Sequence, residues 1–480
     1  MTEALSVAND ALYTYALVGL LVLAGVWLTW RTRGVQVRLF GQMLRHVTRS
    51  RRGAEGGISS FQAFAIGMAT RIGIGNITGV AIALILGGPG AIFWMWLVAL
   101  VGMATAFSEA TLAQVFKVRA LDGTFRGGPA FYIQRGLGSR RWATVFAFLL
   151  VASMAVAMPM VQANTISATL AGSHGVPVWA AALLLVVLTA VVVLGGVRGV
   201  ARVAEVMTPL MALAYVVVAV AVVAGNLGAL PAFFGDILAG ALGLDASLAG
   251  IGGGVVAAVL NGVRRGLFSN EAGMGTNPNA AATATVAHPV HQGLIQSLGV
   301  FVDTMLVSTA TAFIILASGM LEPGVTGLDA GAELTTSAVT TALGAWMAWP
   351  MTLMIFFFGF SSILGAYAYA DVNMDFLHAG RHARHVLRGV VVLTTGVGAV
   401  LALQTVWALM DTAMAFLTVV NLVAVVRLAP WVAALLRDYE GQRGGAEVRF
   451  DARDHPSLPG HLPGDVWLGL PLDRSGTPGH

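Results

Sequence analysis

Long apolar runs alternate with short polar connections along nearly the whole chain. Eleven of these runs are close to or above the roughly 20 residues that a helix needs to cross a bilayer. The pattern therefore predicts an all-α membrane protein with a leading helix and ten further helices, here called core helices 1 to 10. The leading helix is expected at 11–30, and the core helices at 60–86, 90–116, 142–171, 177–196, 204–224, 250–275, 290–321, 348–370, 386–405 and 410–436.

Two of the predicted helices are interrupted by glycine and polar residues at membrane depth. Core helix 1 contains Gly73-Ile74-Gly75-Asn76, and core helix 6 contains the segment NGVRRGLFSNEAGMG at 261–275. Small residues can serve close helix packing alone. Matching interruptions in two halves of a chain instead indicate a transporter built from repeats, in which unwound backbone lines a cavity. Because the interruptions lie five spans apart, the second five-helix unit must be inverted.

The predicted fold is one leading helix plus a 5+5 inverted-repeat transporter core with discontinuous first and sixth core helices. The polar C-terminal tail, rich in Gly and Pro, is expected to be a flexible extension. The predicted units are the leading helix with a basic loop at 1–55, the first repeat at 56–224, a linker at 225–249, the second repeat at 250–437 and the tail at 438–480.

Composition and charge agree with a membrane protein and suggest an orientation. The chain is 57% hydrophobic and 10% charged, whereas soluble domains carry about 25% charged residues. Arginines concentrate in four connections that share one side of the membrane in this plan, at 31–52, 117–141, 198–202 and 381–388. The opposite loops, 225–249 and 322–347, contain no Lys or Arg, which predicts an external N-terminus, an external 225–249 linker and a cytoplasmic tail.

Two further features of composition narrow the class. The chain has no cysteine, which excludes disulfides and thiolate metal sites. Lys117 is the single lysine among 27 basic residues, a bias typical of GC-rich bacterial coding, so a bacterial inner membrane is expected. No hydrolase or ATP-binding motif is present, so an enzyme is not expected. Nothing indicates a nucleic-acid partner, and the sequence leaves the oligomeric state open.

Several long motifs resemble those of the alanine or glycine:cation symporter family. The resemblance rests on the segment 56–116 around TRIGIGNITG, on RGGPAFYIQRGLG at 126–138, on GVRRGLFSNEAGMG at 262–275 with HPVHQG at 288–293, and on FGFSSILGAYAYAD at 358–371. It implies an amino acid–polyamine–cation type fold, import of small neutral amino acids such as alanine or glycine, and Na⁺ or less often H⁺ as coupling ion. No organic cofactor is implied.

The chain departs from the family pattern at two positions near the implied substrate. Ile74 stands where the family usually has threonine, and Ala366 stands where a bulkier residue is expected. The residues implied to bind substrate are Gly73, Ile74, Gly75, Asn76, Gln162, Phe268, Ser269, Asn270, Ser362 and Ala366. Each has a structural alternative: Asn76 can cap the second half-helix, Gln162 and Asn164 can join helices, and Phe268 can be an ordinary core aromatic.

The adjacent hydroxyls Ser361 and Ser362 in core helix 8 are the candidate cation ligands. By resemblance to related folds, the backbone carbonyls of Ala69, Ile72 and Phe358 complete a Na⁺ site with them. The structural alternative is that each serine bonds to the carbonyl four residues earlier in its own helix.

Charged residues inside predicted spans have two interpretations. Asp303 either serves transport or pairs with Arg264, Arg265 or Arg71. Glu109 and Glu271 are expected to pair with arginines, and His288 and His291 are interpreted as loop residues without a metal. Two rival functions remain: a proton-coupled transporter, with Asp303 or Glu109 taking the proton, and a membrane sensor or channel with a transporter fold.

Overall fold

The computed structural model describes residues 2–49, 58–120, 123–243, 254–321, 331, 333–443, 448–454 and 458–468, so parts of both predicted external loops and of the first basic loop lie outside it. Each of the eleven predicted segments contains helix. Within the described residues, seven helices are long and apolar enough to span a membrane: Leu5–Arg31, Gly90–Val115, Arg140–His174, Pro289–Ala317, Ala345–Phe376, Arg381–Val400 and Leu403–Gly441. The other four segments are broken, short or more polar, and comprise core helices 1, 4, 5 and 6.

Core helix 1 is broken where the sequence predicts. Its first half, Ser60–Arg71, begins with a capping box between Ser59 and Gln62. A single 3₁₀ turn, Ile74–Asn76, separates it from the second half, Thr78–Gly87. The two halves are bent by 53° relative to each other.

Core helix 6 breaks within the last third of the predicted segment 261–275. The helix Val255–Asn270 runs through most of the segment expected to be interrupted, and it ends at Glu271, whose φ is +55°. The chain then turns through Gly273 and Gly275, both with positive φ, into the short helix Pro278–Ala281. The earlier glycine, Gly262, serves packing, because a Cβ there would overlap the backbone of core helix 2.

The remaining helices complete the two repeats and their connections. Core helices 4 and 5 are Val178–Leu194 and Gly196–Gly225. Short elements join the spans: helices Val35–Arg38, Phe40–Arg49, Pro129–Leu137 and Leu334–Leu343, 3₁₀ turns Leu227–Ala229, Ala345–Met347 and Ala452–Asp454, and an antiparallel pair of strands Val118–Arg119 and Phe125–Arg126. Three spans contain a π turn, at Tyr13–Leu17, Ser153–Ala157 and Phe301–Ser308.

The predicted linker 225–249 is not simply a loop. It contains the helix Leu230–Leu242, which is bent by 78° from the end of core helix 5. Phe233 and Ile237 lie on its buried face, and the Phe233 ring packs edge-on against Phe313 of core helix 7. This apolar face explains why the segment folds onto the bundle.

The described part of the tail also packs against the protein, so the expected flexible extension is wrong for these residues. Core helix 10 continues to Gly441. The Phe450 N–H donates to the Ala287 carbonyl at 3.0 Å, and the Trp467 indole donates to the Gln114 carbonyl at 3.2 Å. Both aromatic rings are buried. A few apolar side chains anchor a segment whose average composition is polar.

Candidate substrate and cation site

Ser361 and Ser362 place two hydroxyls between core helix 8 and the first half of core helix 1. Both bond to the Phe358 carbonyl of their own helix, at 3.0 and 2.9 Å; Ser362 thus forms the predicted bond to the carbonyl four residues earlier, whereas Ser361 bonds three residues back. Both also reach across to the Ala69 carbonyl, at 3.2 and 3.1 Å. The hydroxyls and the two carbonyls thus converge at one buried point, a set of neutral oxygens that suits a hard cation such as Na⁺.

The second carbonyl ligand predicted in core helix 1 is that of Ile72, at the end of the first half-helix. Ser362 Oγ lies 3.5 Å from the Thr70 carbonyl. Ile72, the predicted ligand, is the buried C-cap of the half-helix, and its N–H bonds back to the Met68 carbonyl. The core helix 1 carbonyls within hydrogen-bonding distance of the serines are those of Ala69 and Thr70, so the Ile72 carbonyl stays a predicted ligand.

The glycines of the core helix 1 break bring three helices into contact. A Cβ on Gly73 would lie 2.5 Å from Ser362 Oγ, which leaves no room for a side chain. A Cβ on Gly75 would lie 2.8 Å from the Phe268 ring and 3.3 Å from the Ser269 backbone. Residues predicted from core helices 1, 6 and 8 therefore meet around the break.

Asn76 connects the break to an intramembrane carboxylate rather than capping the second half-helix. Its amide donates to Asp303 at 2.7 Å. The Ser269 hydroxyl donates to the other Asp303 oxygen at 2.5 Å and also lies close to the Asn76 amide oxygen. Thr304 adds a third donor to Asp303 at 3.0 Å, and Ser308 donates to Asn76 at 2.8 Å. Asp303 lies in a π turn, a local irregularity that is frequent at functional sites.

Among the described residues, none of the three arginines proposed as partners forms an ion pair with Asp303, so that pairing hypothesis is wrong. Arg265 forms a buried ion pair with Asp411, at 2.6 Å. Arg264 pairs with Asp10 of the leading helix at 2.7 Å. Arg71 donates to the Gln296 carbonyl at 3.0 Å.

Arginine pairing is also wrong for the two glutamates. Glu109 accepts hydrogen bonds from the Gly273 N–H, at 3.2 Å, and from the Asn421 amide. Glu271 accepts one from Thr276, at 2.6 Å. Both carboxylates thus hold the irregular backbone that follows core helix 6, a role that a positive-φ turn in hydrocarbon requires.

The break is covered by an aromatic and ionic stack that the sequence analysis missed. Phe268 packs edge-on against Trp407, with ring centroids 4.7 Å apart. The Arg265 guanidinium, which pairs with Asp411, lies 4.3 Å from the Trp407 ring centroid. The sequence does contain a signal for this pair: an arginine and an aspartate lie in two separate apolar spans. Such charges rarely remain unpaired in a membrane, so a contact between these two spans could have been inferred.

Three other predicted residues have mixed outcomes. Gln162 is buried, and its amide nitrogen lies 3.4 Å from Met158 Sδ. Asn270 bonds to Thr304 and to the Ala272 N–H, so it stabilises the end of core helix 6. Ala366 is fully buried in core helix 8.

The Ile74 side chain is directed towards helix 8 backbone. A Cβ on Gly359 would lie 2.7 Å from Ile74 Cδ1. The missing side chain at Gly359 therefore makes room for the branched residue that replaces the family's threonine.

Histidines do not form a metal centre in the described part of the chain. His288 bonds to Asp438 at 2.9 Å and its ring caps the helix that begins at Pro289. No group of three or more His, Asp or Glu side chains among the described residues could hold a metal ion. His288 lies before the first residue of this helix, as expected for a loop residue, whereas His291 lies within the first turns of core helix 7.

The profile of the sodium:alanine symporter family matches residues 1–452. The chain belongs to the sodium:alanine symporter family. It is 41% identical over 442 residues to the probable sodium/glutamine symporter GlnT of Bacillus subtilis, covering 91% of this chain and 90% of that protein. It is 36% identical over 481 residues to the putative sodium/proton-dependent alanine carrier protein YrbD of the same organism, covering 97% and 98%. The protein is a cation-coupled amino-acid symporter of the membrane, and not an enzyme.

The fold agrees with this membership. The crystal structure of MhsT in complex with L-phenylalanine superimposes with a TM-score of 0.54 at 14% identity, covering 80% of this chain and 99% of that one. At this identity the likeness concerns the fold alone. It confirms the predicted inverted-repeat transporter architecture with broken core helices 1 and 6.

Proposed function

We propose that the protein imports small neutral amino acids together with Na⁺, by alternating access around the core helix 1 break. The observation that carries this proposal is the convergence of the Ser361 and Ser362 hydroxyls on the Ala69 carbonyl, directly beside Gly73. A cation held there stabilises the irregular backbone, and the same backbone receives the substrate. Binding of the ion therefore favours binding of the amino acid.

The broken helix suits a zwitterion. Backbone N–H groups at the start of a half-helix favour a carboxylate, and carbonyls at the end of the preceding half-helix favour an ammonium. Phe268 and Trp407 close the site on one side with apolar surface. Gln162 from core helix 3 and Ser269 and Asn270 from core helix 6 complete the proposed pocket. A neutral side chain fits this environment, because a second charge would be desolvated without a partner.

A proton-coupled mechanism is the alternative, with Asp303 as the proton carrier. The surroundings of Asp303 favour Na⁺ coupling instead. Its oxygens accept hydrogen bonds from Asn76, Ser269 and Thr304. Such a donor set fits a carboxylate that keeps its charge and does not exchange a proton.

Reconstituted proteoliposomes test the proposal. Uptake of a labelled panel of neutral, acidic and basic amino acids is measured with the Na⁺ gradient and the pH gradient varied separately. We expect concentrative uptake of neutral amino acids that requires Na⁺. Uptake driven by pH alone would identify the proton alternative, and saturable binding without concentrative uptake would identify a sensor.

We also propose a bacterial inner-membrane location with the N-terminus outside and the tail in the cytoplasm. The proposal rests on the arginine-rich connections, all of which lie on the same predicted side of the membrane. Labelling of an introduced cysteine, Ser139→Cys, tests it without background because the chain has no native cysteine. Labelling by an impermeant reagent from outside sealed cells would contradict this orientation.

A further inference from the structure

A long apolar groove separates core helices 4 and 9 on the outer face of the bundle. Its volume is about 720 Å³. One wall is formed by Val186, Ala190 and Leu194 of core helix 4, which follow each other at four-residue spacing. The other wall is a stripe along core helix 9 that begins at His385 and ends at Val400.

Two glycines of core helix 9 line the groove. Gly389 and Gly396 lie seven residues apart and therefore on the same helix face. A Cβ on Gly389 would meet nothing within 4 Å, so the groove is open at this point, whereas a Cβ on Gly396 would lie 2.8 Å from Val186, so Gly396 lets the two helices pack closely at the floor of the groove. From His385 to Val400 the groove is about 22 Å long at 1.5 Å per residue. This exceeds half of the roughly 30 Å hydrocarbon core, so an acyl chain of one leaflet fits along it.

One end of the groove carries positive charge. Arg388 and His385 line it, and Arg381 lies exposed one helical turn earlier. Arg388 Nε donates to the Tyr367 hydroxyl at 3.1 Å, which holds the guanidinium at the mouth of the groove. The positive end of the helix dipole adds to this field, because these residues occupy the first turns of core helix 9.

The nearby carboxylates do not neutralise this end. Asp375 is engaged by Arg126, at 2.8 Å, and by Arg384. Asp371 lies 3.4 Å from Arg384. Neither Arg381 nor Arg388 forms an ion pair with any residue that the structure describes. An excess of cationic groups therefore faces the head-group region at this end.

We propose that the groove between core helices 4 and 9 binds an anionic glycerophospholipid. Its phosphate lies against Arg388 and His385, and one acyl chain lies over Gly389 and continues along the groove towards Val400. Basic pockets between membrane helices have the chemistry that binds such head groups. The proposal concerns the lipid-facing surface, so it is independent of the substrate and of the coupling ion.

Native mass spectrometry of the full-length, delipidated protein tests this site. Phosphatidylglycerol and phosphatidylcholine with identical acyl chains are titrated as probes. We expect one phosphatidylglycerol retained per chain, in preference to phosphatidylcholine. Each basic residue near a membrane surface contributes about 1 kcal/mol, so Arg388→Gln should lower this preference about fivefold. Arg45→Gln, an exposed arginine on the same predicted face, is the control and should change nothing.

A second pair of variants tests the acyl-chain part without touching a charge. Gly389→Leu fills the groove and should abolish retention of both lipids. Gly19→Leu is the matched control, because Gly19 also lies in a spanning helix with open space beside it. Melting temperatures in lipid-free detergent verify that each variant is folded. Equal retention of the two lipids by the wild type, or equal loss in both leucine variants, would overturn the proposal. So would a wild-type dimer that Gly389→Leu dissociates, since a second copy would then occupy the groove.

Discussion

Arg265 and Asp411 form a buried ion pair across core helices 6 and 10. One guanidinium nitrogen donates to both carboxylate oxygens, at 2.7 and 2.6 Å. The side chains are only 4% and 9% exposed. Because Trp407 lies under the same guanidinium, the pair holds together the cover over the core helix 1 break.

Breaking this pair should destabilise the protein more than removing it. Asp411→Asn leaves a buried arginine without its counter-ion, a change that typically costs about 3–5 kcal/mol. The double variant Arg265→Gln/Asp411→Asn should recover much of this loss. Thermal unfolding in detergent measures both. Asp10→Asn, which removes the exposed partner of Arg264, is the control and should cost less than about 1 kcal/mol. Equal effects of Asp411→Asn and Asp10→Asn would show that the buried pair does not hold the cover.

Substrate tolerance should follow the two departures from the family pattern. With Ile74 and Ala366, we expect larger neutral amino acids to compete with alanine. Each additional buried methylene contributes about 0.8 kcal/mol when it is desolvated. Ala366→Trp should reduce the number of amino acids that compete. If the Ala366→Trp protein does not fold, Ile74→Thr, which restores the family's hydroxyl, tests the same expectation at the other position. A wild-type panel in which only glycine and alanine block uptake would reject this expectation.

The positions of the helices and the core helix 1 break could be predicted from sequence, because each depends on local composition. A run of about twenty apolar residues predicts a span whatever its neighbours are. The segment from Gly73 to Asn76 predicts a break because glycine in a helix interior costs free energy. Glycine alone is ambiguous, however. Gly262 resembles a helix breaker but allows close packing against core helix 2. The interruption predicted for core helix 6 at 261–275 therefore contains the observed break but begins too early.

The pairing of charged groups could not be predicted from sequence. The sequence shows no obvious uncharged hydrogen-bond donor for Asp303, Glu109 or Glu271, so arginines are the partners that it suggests. The structure satisfies them with amides, hydroxyls and backbone N–H groups instead. Which helix faces which depends on packing across many spans, and a single sequence carries no direct record of it.

Asp303 should discriminate between the two coupling ions. Asp303→Asn keeps the shape of the side chain but removes its charge and turns one acceptor into a donor that faces Ser269 or Asn76. Under Na⁺ coupling, we expect the Na⁺ concentration for half-maximal uptake to rise about tenfold or more. Asp236→Asn, on the exposed face of the helix Leu230–Leu242, is the control. Unchanged Na⁺ dependence with loss of pH-driven uptake would favour the proton alternative.

The folded part of the tail should depend on Trp467. Its ring packs against Phe450, with centroids 5.4 Å apart, and lies 4.9 Å from the Lys117 ammonium nitrogen. Replacing a buried tryptophan by alanine typically costs about 3–5 kcal/mol. Trp467→Ala should therefore speed hydrogen exchange of the amides of Phe450 and Ala452, which bond to Ala287 and to the Trp467 carbonyl. Trp179→Ala, at an exposed ring, is the control. Equally fast exchange in both variants would show that the ring does not anchor the tail.

Ser361 provides the most direct test of the cation site. If its hydroxyl holds Na⁺ together with the Ala69 carbonyl, Ser361→Ala leaves the ion under-coordinated in a poorly hydrated site. A hydrogen bond or ligand to a charged group contributes roughly 1.5–3 kcal/mol. The Na⁺ concentration for half-maximal uptake should therefore rise about ten- to a hundredfold. Substrate affinity at saturating Na⁺ should change much less, because the ion shapes the break that the substrate then fits.

A buried serine with only the back-bonding role is available as the control. Ser108 donates to the Ala104 carbonyl of its own helix at 2.8 Å, and Ser108→Ala removes that bond alone. It should leave Na⁺ dependence unchanged at normal expression. Ser362→Ala is expected to affect both Na⁺ and substrate, since its hydroxyl lies against Gly73. A well-expressed Ser361→Ala protein that behaves like Ser108→Ala would rule out this cation site, because back-bonding to Phe358 would then account for both serines.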